Sequence, residues 1–403
     1  MIILIILLFI IFILVIYHKS KSIYIDNYSN QNIYGDYDRH DKHDKYSRYI
    51  ILLKSDNPII INQFINEHKI IPTNIFRYCF NAIVAYLSKD QVKDLIKNNI
   101  VDFIQEDVNY KIFQLWDNDI DEGLINSIAW GIISSGVQHI TSQDVSKNVQ
   151  VFILDSGIDR HNTELNIVEC LNFEPSDFTC DDKYGHGTHM AGVIGAKNTV
   201  YHIGVAPGAS IHALKVYPQT GEGPMSTIIS GIEYVIKYKL ANPNIPVVVN
   251  MSLGYTVQDK NYNVLDKAVL NAINRGIICC VAGGNQGENA DFLSPAHVKE
   301  VIAVGAYDIN NKFTDYSGYG PSISILAPGT NIVSTYFNNS YRSLSGSSMS
   351  VPYVVGIIVL YLSKYPNATP AQVKQALLLN KNTNFLILNV PEDTTNVPAF
   401  IMS

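Results

Sequence analysis

An open parallel α/β sheet with helices on both faces, preceded by a small α+β module, is the fold class this sequence predicts, and three observations predict it. From about Val149 to Leu379 short apolar runs alternate with helical stretches, the pattern of parallel strands covered by crossover helices. Residues 49–104 follow a β-α-β-β-α-β order, that of a ferredoxin-like unit. The composition supports packed domains: 47% of the 403 residues are apolar and 16% charged, which excludes a mainly disordered chain. Lys+Arg 29 against Asp+Glu 36 gives a net charge of −7 with no long basic run, so nucleic acid is not an expected partner. Cys 5 without a CxxC pair argues against a disulfide scaffold and against a zinc site.

Met1 to Tyr17 is an uncharged apolar run followed by His18, Lys19 and Lys21. It reads as a membrane-targeting segment. As a helix it would span roughly 25 Å against a hydrocarbon core of roughly 30 Å, so a short anchor and a cleaved signal peptide both stand. Basic residues after the run would place the following chain on the cytosolic side. Residues 18–46 are polar and read as a flexible linker, with His40 and His43 part of a solvated, Asp-rich tether rather than a metal site. The module over 47–113 is expected to contain a strand Tyr49–Leu53, a helix Ile59–His68, strands around Phe76–Leu87, a helix starting at Ser88 and a strand Ile100–Ile104. Ser88 and Gln91 form the ends of a capping box. Residues 114–128, with Asp117, Asp119, Asp121 and Glu122, form an exposed connector open to cleavage.

The domain over 129–380 should hold strands Val149–Leu154, Ile211–Val216, Val247–Met251 and Ile277–Val281. Helices are expected after His186 and over Ser226–Tyr238 and Val264–Asn274, with the site at the carboxyl ends of the strands. Residues 381–403 carry no motif.

Three segments carry chemistry. Val151-Phe-Ile-Leu-Asp155-Ser-Gly157 puts a carboxylate directly after a buried strand, where it either orients a partner or caps a loop. Gly185-His186-Gly187-Thr188-His189 opens a small-residue helix whose glycines let backbone and substrate approach an imidazole. His186 and His189 could share a metal, but no HExxH glutamate or third ligand accompanies them. Gly346-Ser347-Ser348-Met349-Ser350-Val351-Pro352 precedes the apolar run Tyr353–Leu362. A serine there can simply cap the helix, or present an exposed hydroxyl beside a free backbone N–H that binds an oxyanion.

Taken together, the Asp…His…Ser order in glycine-rich motifs resembles the subtilisin-like serine proteases, most closely their proteinase K-like branch. The resemblance runs from Tyr49 to about Leu379. Further matching motifs are Val205-Ala-Pro-Gly208, Ser226-Thr-Ile-Ile-Ser-Gly231, Asn250-Met-Ser-Leu-Gly254, Ala282-Gly-Gly-Asn285 and Leu326-Ala-Pro-Gly-Thr330. The resemblance implies Ser348 as nucleophile, His186 as general base and acid, Asp155 as its orienting carboxylate, and Asn285 with the Ser348 N–H as oxyanion donors. It implies that Ser252-Leu253-Gly254 and Ala282-Gly283-Gly284 wall a specificity pocket, and that the strand around Glu222-Gly223 pairs with substrate as an added strand. Gly283 stands where alanine is common and is expected to enlarge the pocket, with apolar or broad preference.

By the same resemblance the front module is an inhibitory propeptide, its first strand at Tyr49–Lys54, its last at Ile100–Glu106, and its end near Asn109–Trp116 held in the cleft until self-cleavage. Ala129-Trp130-Gly131 resembles the start of the mature fold. No cofactor is required and no metal ligand is assigned. Structural calcium, often found in relatives, is not expected at their familiar positions: Ser324 stands where the proteinase K-like site uses Asp, and the loop near Asn198 is short. Cys170 and Cys180 could bridge in an oxidising compartment, Cys279 and Cys280 read as buried thiols, and Cys79 would leave with the propeptide. The expected function is therefore a membrane-anchored or secreted serine endopeptidase acting on protein or peptide substrates. The alternative is a catalytically silent protein that uses the same fold for binding. A tether to one membrane-local or virion-associated target and broad degradation both stand on these residues.

Overall fold

The computed structural model describes residues 46–112, 115–116, 129–258, 260–380 and 385–402. The expected membrane segment 1–17, nearly all of the linker 18–46 and most of the connector 114–128 lie outside the described residues.

The front module begins with β1 (Tyr46–Leu53), α1 (Pro58–Glu67), β2 (Pro72–Phe76), β3 (Ala82–Ser88), α2 (Lys89–Leu95) and β4 (Val101–Glu106), in the predicted order. Its antiparallel sheet runs β2-β3-β1-β4. Strand β1 starts three residues before the expected Tyr49 because Tyr46–Arg48 pair with Tyr86–Ser88. Ser88 and Gln91 close the capping box at α2, each side chain meeting the other residue's backbone N–H. Successive residues of a strand point to opposite faces, and here both faces are apolar. Ile51, Leu53, Ile83 and Leu87 pack with Ile61 and Phe64 of α1 and Leu95 of α2. Ile50, Leu52 and Val84 face the other way and join the core of the main domain.

Beyond β4 the chain continues through β5 (Asn109–Ile112) and β6 (Leu115–Trp116). After α3 (Trp130–Ser134), the main sheet is built from β7 (Gln150–Asp155), β8 (Ile167–Asn172), β9 (Ser210–Lys215), β11 (Val247–Met251), β13 (Ile277–Ala282), β15 (Ile302–Tyr307) and β16 (Ile325–Pro328). These seven run parallel in the order β16-β15-β13-β11-β7-β9-β8. Along β7, Val151 and Ile153 pack toward α4 (His186–Gly195) and α7 (Ser347–Lys364), while Phe152 and Leu154 pack toward α5 (Met225–Ala241) and α6 (Val264–Asn274). That alternation covers the sheet on both faces. Helix α7 is apolar and long enough to cross a membrane by composition, yet 83% of it lies buried in the protein, where it forms the core beneath the sheet. The final helix, α8 (Pro370–Leu379), starts at a Thr369–Gln372 capping box.

Two smaller sheets shape the cleft. Strands β10 (Glu222–Pro224), β12 (Leu253–Thr256) and β14 (Leu293–Ser294) join β5 in the order β10-β5-β12-β14. Strands β17 (Ile332–Tyr336) and β18 (Ser340–Ser345) form a hairpin that pairs with β6. The front module is fixed to the main domain at helix ends, where unpaired N–H groups and the helix dipole favour acceptors. Asp107 accepts from the Ser226 N–H at 2.8 Å and the Ser226 hydroxyl at 2.6 Å at the start of α5, with Arg48 2.6 Å from its carboxylate. Gln105 accepts from the Val264 N–H at 2.9 Å at the start of α6. In return Glu233 on α5 accepts from the N–H groups of Arg77, Tyr78 and Cys79 at 2.5–2.6 Å.

Candidate active site

Asp155 ends β7 and Asn285 follows β13, both at the carboxyl edge of the central strands. His186 opens α4 and Ser348 lies in the first turn of α7. Each helix starts at a glycine that the backbone requires. Gly185 has φ +96°, and a Cβ there would sit 2.1 Å from the Tyr336 ring. Gly346 has φ +143°, a region L side chains rarely enter.

The Nδ1 of His186 lies 2.9 Å from each carboxylate oxygen of Asp155, both residues fully buried. With Nδ1–H donating, Nε2 is left as an acceptor, and among the described residues it has no partner. The Ser348 hydroxyl donates to the Ser252 carbonyl at 3.2 Å. The Ser348 carbonyl is also held by Ser252, whose hydroxyl donates to it at 3.1 Å. Pro352 explains why that carbonyl is available: it stands four residues on in the helix and has no N–H to offer it. Asn285 accepts from the Ser347 N–H at 2.7 Å through Oδ1, and its Nδ2 is buried and without a partner among the described residues. The Ser348 hydroxyl is thus held by the Ser252 carbonyl, whereas His186 Nε2 and Asn285 Nδ2 meet no partner among the described residues. Buried polar atoms are rarely left so.

Of the remaining residues expected to bind substrate, three flank β5 and others adjoin the start of α7. Gly223 pairs with Tyr110, Gly254 with Lys111 and Leu253 with Ile112, all antiparallel, so β5 lies as a strand between β10 and β12. Ala282 ends β13, Gly283 donates to the Val304 carbonyl at 2.8 Å, and Gly284 donates to the Ser347 hydroxyl at 3.1 Å. Gly283 does not widen the pocket as expected. A Cβ at that position would meet Ile323 at 2.6 Å and the Val304 carbonyl at 2.9 Å, so the glycine makes room for the neighbouring strand.

His189 is not a metal ligand in this arrangement. Its Nε2–H points at the carbonyls of Ile332, 2.9 Å away, and Arg342, at 3.2 Å. Burial lowers its pKa to about 3, so it is neutral. Among the described residues no group of three or more His, Cys, Asp or Glu could hold a metal ion. Cys170 and Cys180 form a disulfide, while Cys279 and Cys280 are buried thiols whose pKa values burial raises.

One supporting residue was not foreseen. Asp182 is buried and accepts from the Ser156 hydroxyl at 2.9 Å, the Gly185 N–H at 2.7 Å, the Thr188 N–H at 2.9 Å and the Thr188 hydroxyl at 2.6 Å. It thereby joins the Asp155 strand end to the first turn of the His186 helix. The only sequence signal is an acidic residue placed to cap a helix start, which is common and unspecific.

Residues 146–395 match the Peptidase S8 subtilase family. The chain is a member of the subtilase family. It is 36% identical over 307 residues to a thermostable alkaline protease of Halalkalibacterium halodurans, covering 76% of this chain and 78% of that one. It is also 36% identical over 309 residues to subtilisin E of Bacillus subtilis, covering 75% of each. Among solved structures, a cold adapted subtilisin-like serine proteinase matches 68% of this subtilase and 98% of its own chain, with a TM-score of 0.58 and 28% identity. The subtilase described here is a subtilisin-like serine endopeptidase, a hydrolase of protein and peptide substrates.

Proposed function

We propose that this subtilase is made as a self-inhibited proenzyme that cuts its own chain with Ser348, His186 and Asp155. The observation that carries the reading is strand β5. It belongs to the chain leaving the front module, yet it lies between β10 and β12, one residue from Ser252, the residue that holds Ser348. An added strand is the way an extended peptide is bound by an open sheet edge. Leu115 then pairs with Ser345, three residues before Ser348. The chain is thus held on both sides of the nucleophile, and the bond cut falls between Ile112 and Leu115.

In this reading the Ser348 hydroxyl turns from the Ser252 carbonyl to His186 Nε2. Its oxygen bonds to the peptide carbonyl carbon as its proton passes to Nε2, and Asp155 stabilises the imidazolium. The carbonyl electron pair moves to oxygen, which is received by the Asn285 Nδ2–H and the Ser348 N–H. As the C–N bond breaks, His186 returns the proton to the leaving amine, and a water then releases the acyl group by the same steps in reverse. His186 Nε2 and Asn285 Nδ2, two of the buried atoms without a partner among the described residues, are atoms this chemistry uses.

The front module acts as intramolecular inhibitor, and its contacts with the starts of α5 and α6 support a role in folding the main domain. The apolar run 1–17 delivers the chain to a membrane, as anchor or signal, a role supported by its composition. The test expresses residues 18–403 beside a Ser348→Ala version and compares their masses and their labelling by a fluorophosphonate. The natural sequence is expected to lose residues 18 to about 113 and label, while the alanine version stays whole and unlabelled. A natural chain that neither matures nor labels would overturn the proposal and favour the silent binding protein.

A further inference from the structure

Tyr110 is among the largest fully buried side chains of the protein, although it sits on the strand that occupies the substrate groove. Its ring lies 5.3 Å from that of Tyr255 on β12, and its hydroxyl reaches a polar wall built wholly from the main domain. Asn263 Nδ2 is 3.0 Å from the phenol oxygen, and Ser294 Oγ is 3.0 Å away. The directions of these hydrogen bonds follow from their neighbours. Asn263 Oδ1 accepts from the Asp266 N–H at 3.0 Å, so its amide must present N–H to the tyrosine. The Ser294 hydroxyl donates to the Asp266 carboxylate at 2.6 Å, so toward the tyrosine it can only accept. Asp266 in turn accepts from His297 Nε2 at 2.8 Å and from the Asn263 N–H at 2.9 Å. The wall thus offers one donor and one acceptor, matched to the one hydroxyl that enters. Burial and the Asp266 carboxylate hold the phenol well above its usual pKa, which keeps it protonated and able to donate.

We propose that this pocket reads tyrosine: substrates presenting Tyr at the position of Tyr110 are cut in preference to those presenting Phe or Ala. The inference rests on the peptidase reading above and names a specificity determinant of the same groove. A phenylalanine would fill the volume but leave the Asn263 Nδ2–H without its acceptor and take from Ser294 Oγ the hydrogen bond it accepts, while its bond to Asp266 stays; unpaired buried groups are what make a hydroxyl-reading site discriminate.

The test uses enzyme matured from the full chain and shown to label with the fluorophosphonate. Its kcat/KM is measured on synthetic peptides with the sequence of residues 107–118, carrying Tyr, Phe or Ala at the place of Tyr110. The Tyr peptide is expected to be favoured over the Phe peptide by about tenfold or more, and Ser294→Ala enzyme to bring that ratio toward one. Equal cutting of the Tyr and Phe peptides by labelled enzyme overturns the tyrosine pocket and leaves the peptidase reading intact. Enzyme that does not label overturns the peptidase reading and the pocket with it.

Discussion

Ser348 owes its position to the Ser252 carbonyl and hydroxyl, remote in sequence, and to Pro352, four residues on, which leaves its carbonyl free. His186 is set by Asp155 from a strand 31 residues earlier and by the Asp182 cap beneath it. The second histidine of the motif supplies a pH prediction. The folded pKa of His189, about 3, lies below its unfolded value of 6.5, so as pH falls the unfolded chain takes up the proton first. The stability it contributes is present above pH 6.5 and is lost as pH falls toward 3. In a Ser348→Ala background, which cannot digest itself, His189→Gln is expected to flatten the fall of unfolding free energy by up to about 1.4 kcal/mol per pH unit across that window. Denaturant unfolding at pH 7, 6, 5 and 4 measures it, and equal slopes for the two proteins would refute the assignment. The proposed trio of Asp155, His186 and Ser348 could be picked out in the sequence because each member sits in a dense local motif. Asp182 and the pocket around Tyr110 could not, since their partners come from residues that only the fold brings together.

At the scale of elements, the end of β11 and the start of α7 lock through Ser252. Ser252→Ala would leave the Ser348 carbonyl buried without its donor, since Pro352 cannot replace it. The expected loss is about 1–3 kcal/mol of unfolding free energy, the cost of an unsatisfied buried acceptor. An unchanged midpoint in denaturant would show that the lock does not bear on stability. The strands with dense apolar runs, β7, β11 and β13, were readable within a residue of their observed ends. The helix over Val264–Asn274 has both ends where the sequence placed them, and an Asn263–Asp266 capping box fixes its start. Strand β8 escaped notice because its Glu169, Cys170 and Asn172 break the apolar run of an edge strand. The β17–β18 hairpin was equally hidden, although Asn338 and Asn339, at φ +58° and +56°, mark its turn.

At the scale of the molecule, the front module and the main domain interlock through complementary helix caps, an apolar face and one strand placed in the groove. The module's ferredoxin-like order was readable in the sequence, while the expectation that its end lies in the cleft came from the family resemblance alone. The register of that end was not readable, because pairing between β5 and its two neighbours depends on residues more than a hundred positions apart. The register makes self-cleavage beside β5 directly measurable. N-terminal sequencing of the large fragment produced by the natural chain, and absent from Ser348→Ala, should begin at residue 113, 114 or 115. A fragment beginning instead between residues 117 and 129 would show that β5 is not bound as the substrate strand, and would contradict the account.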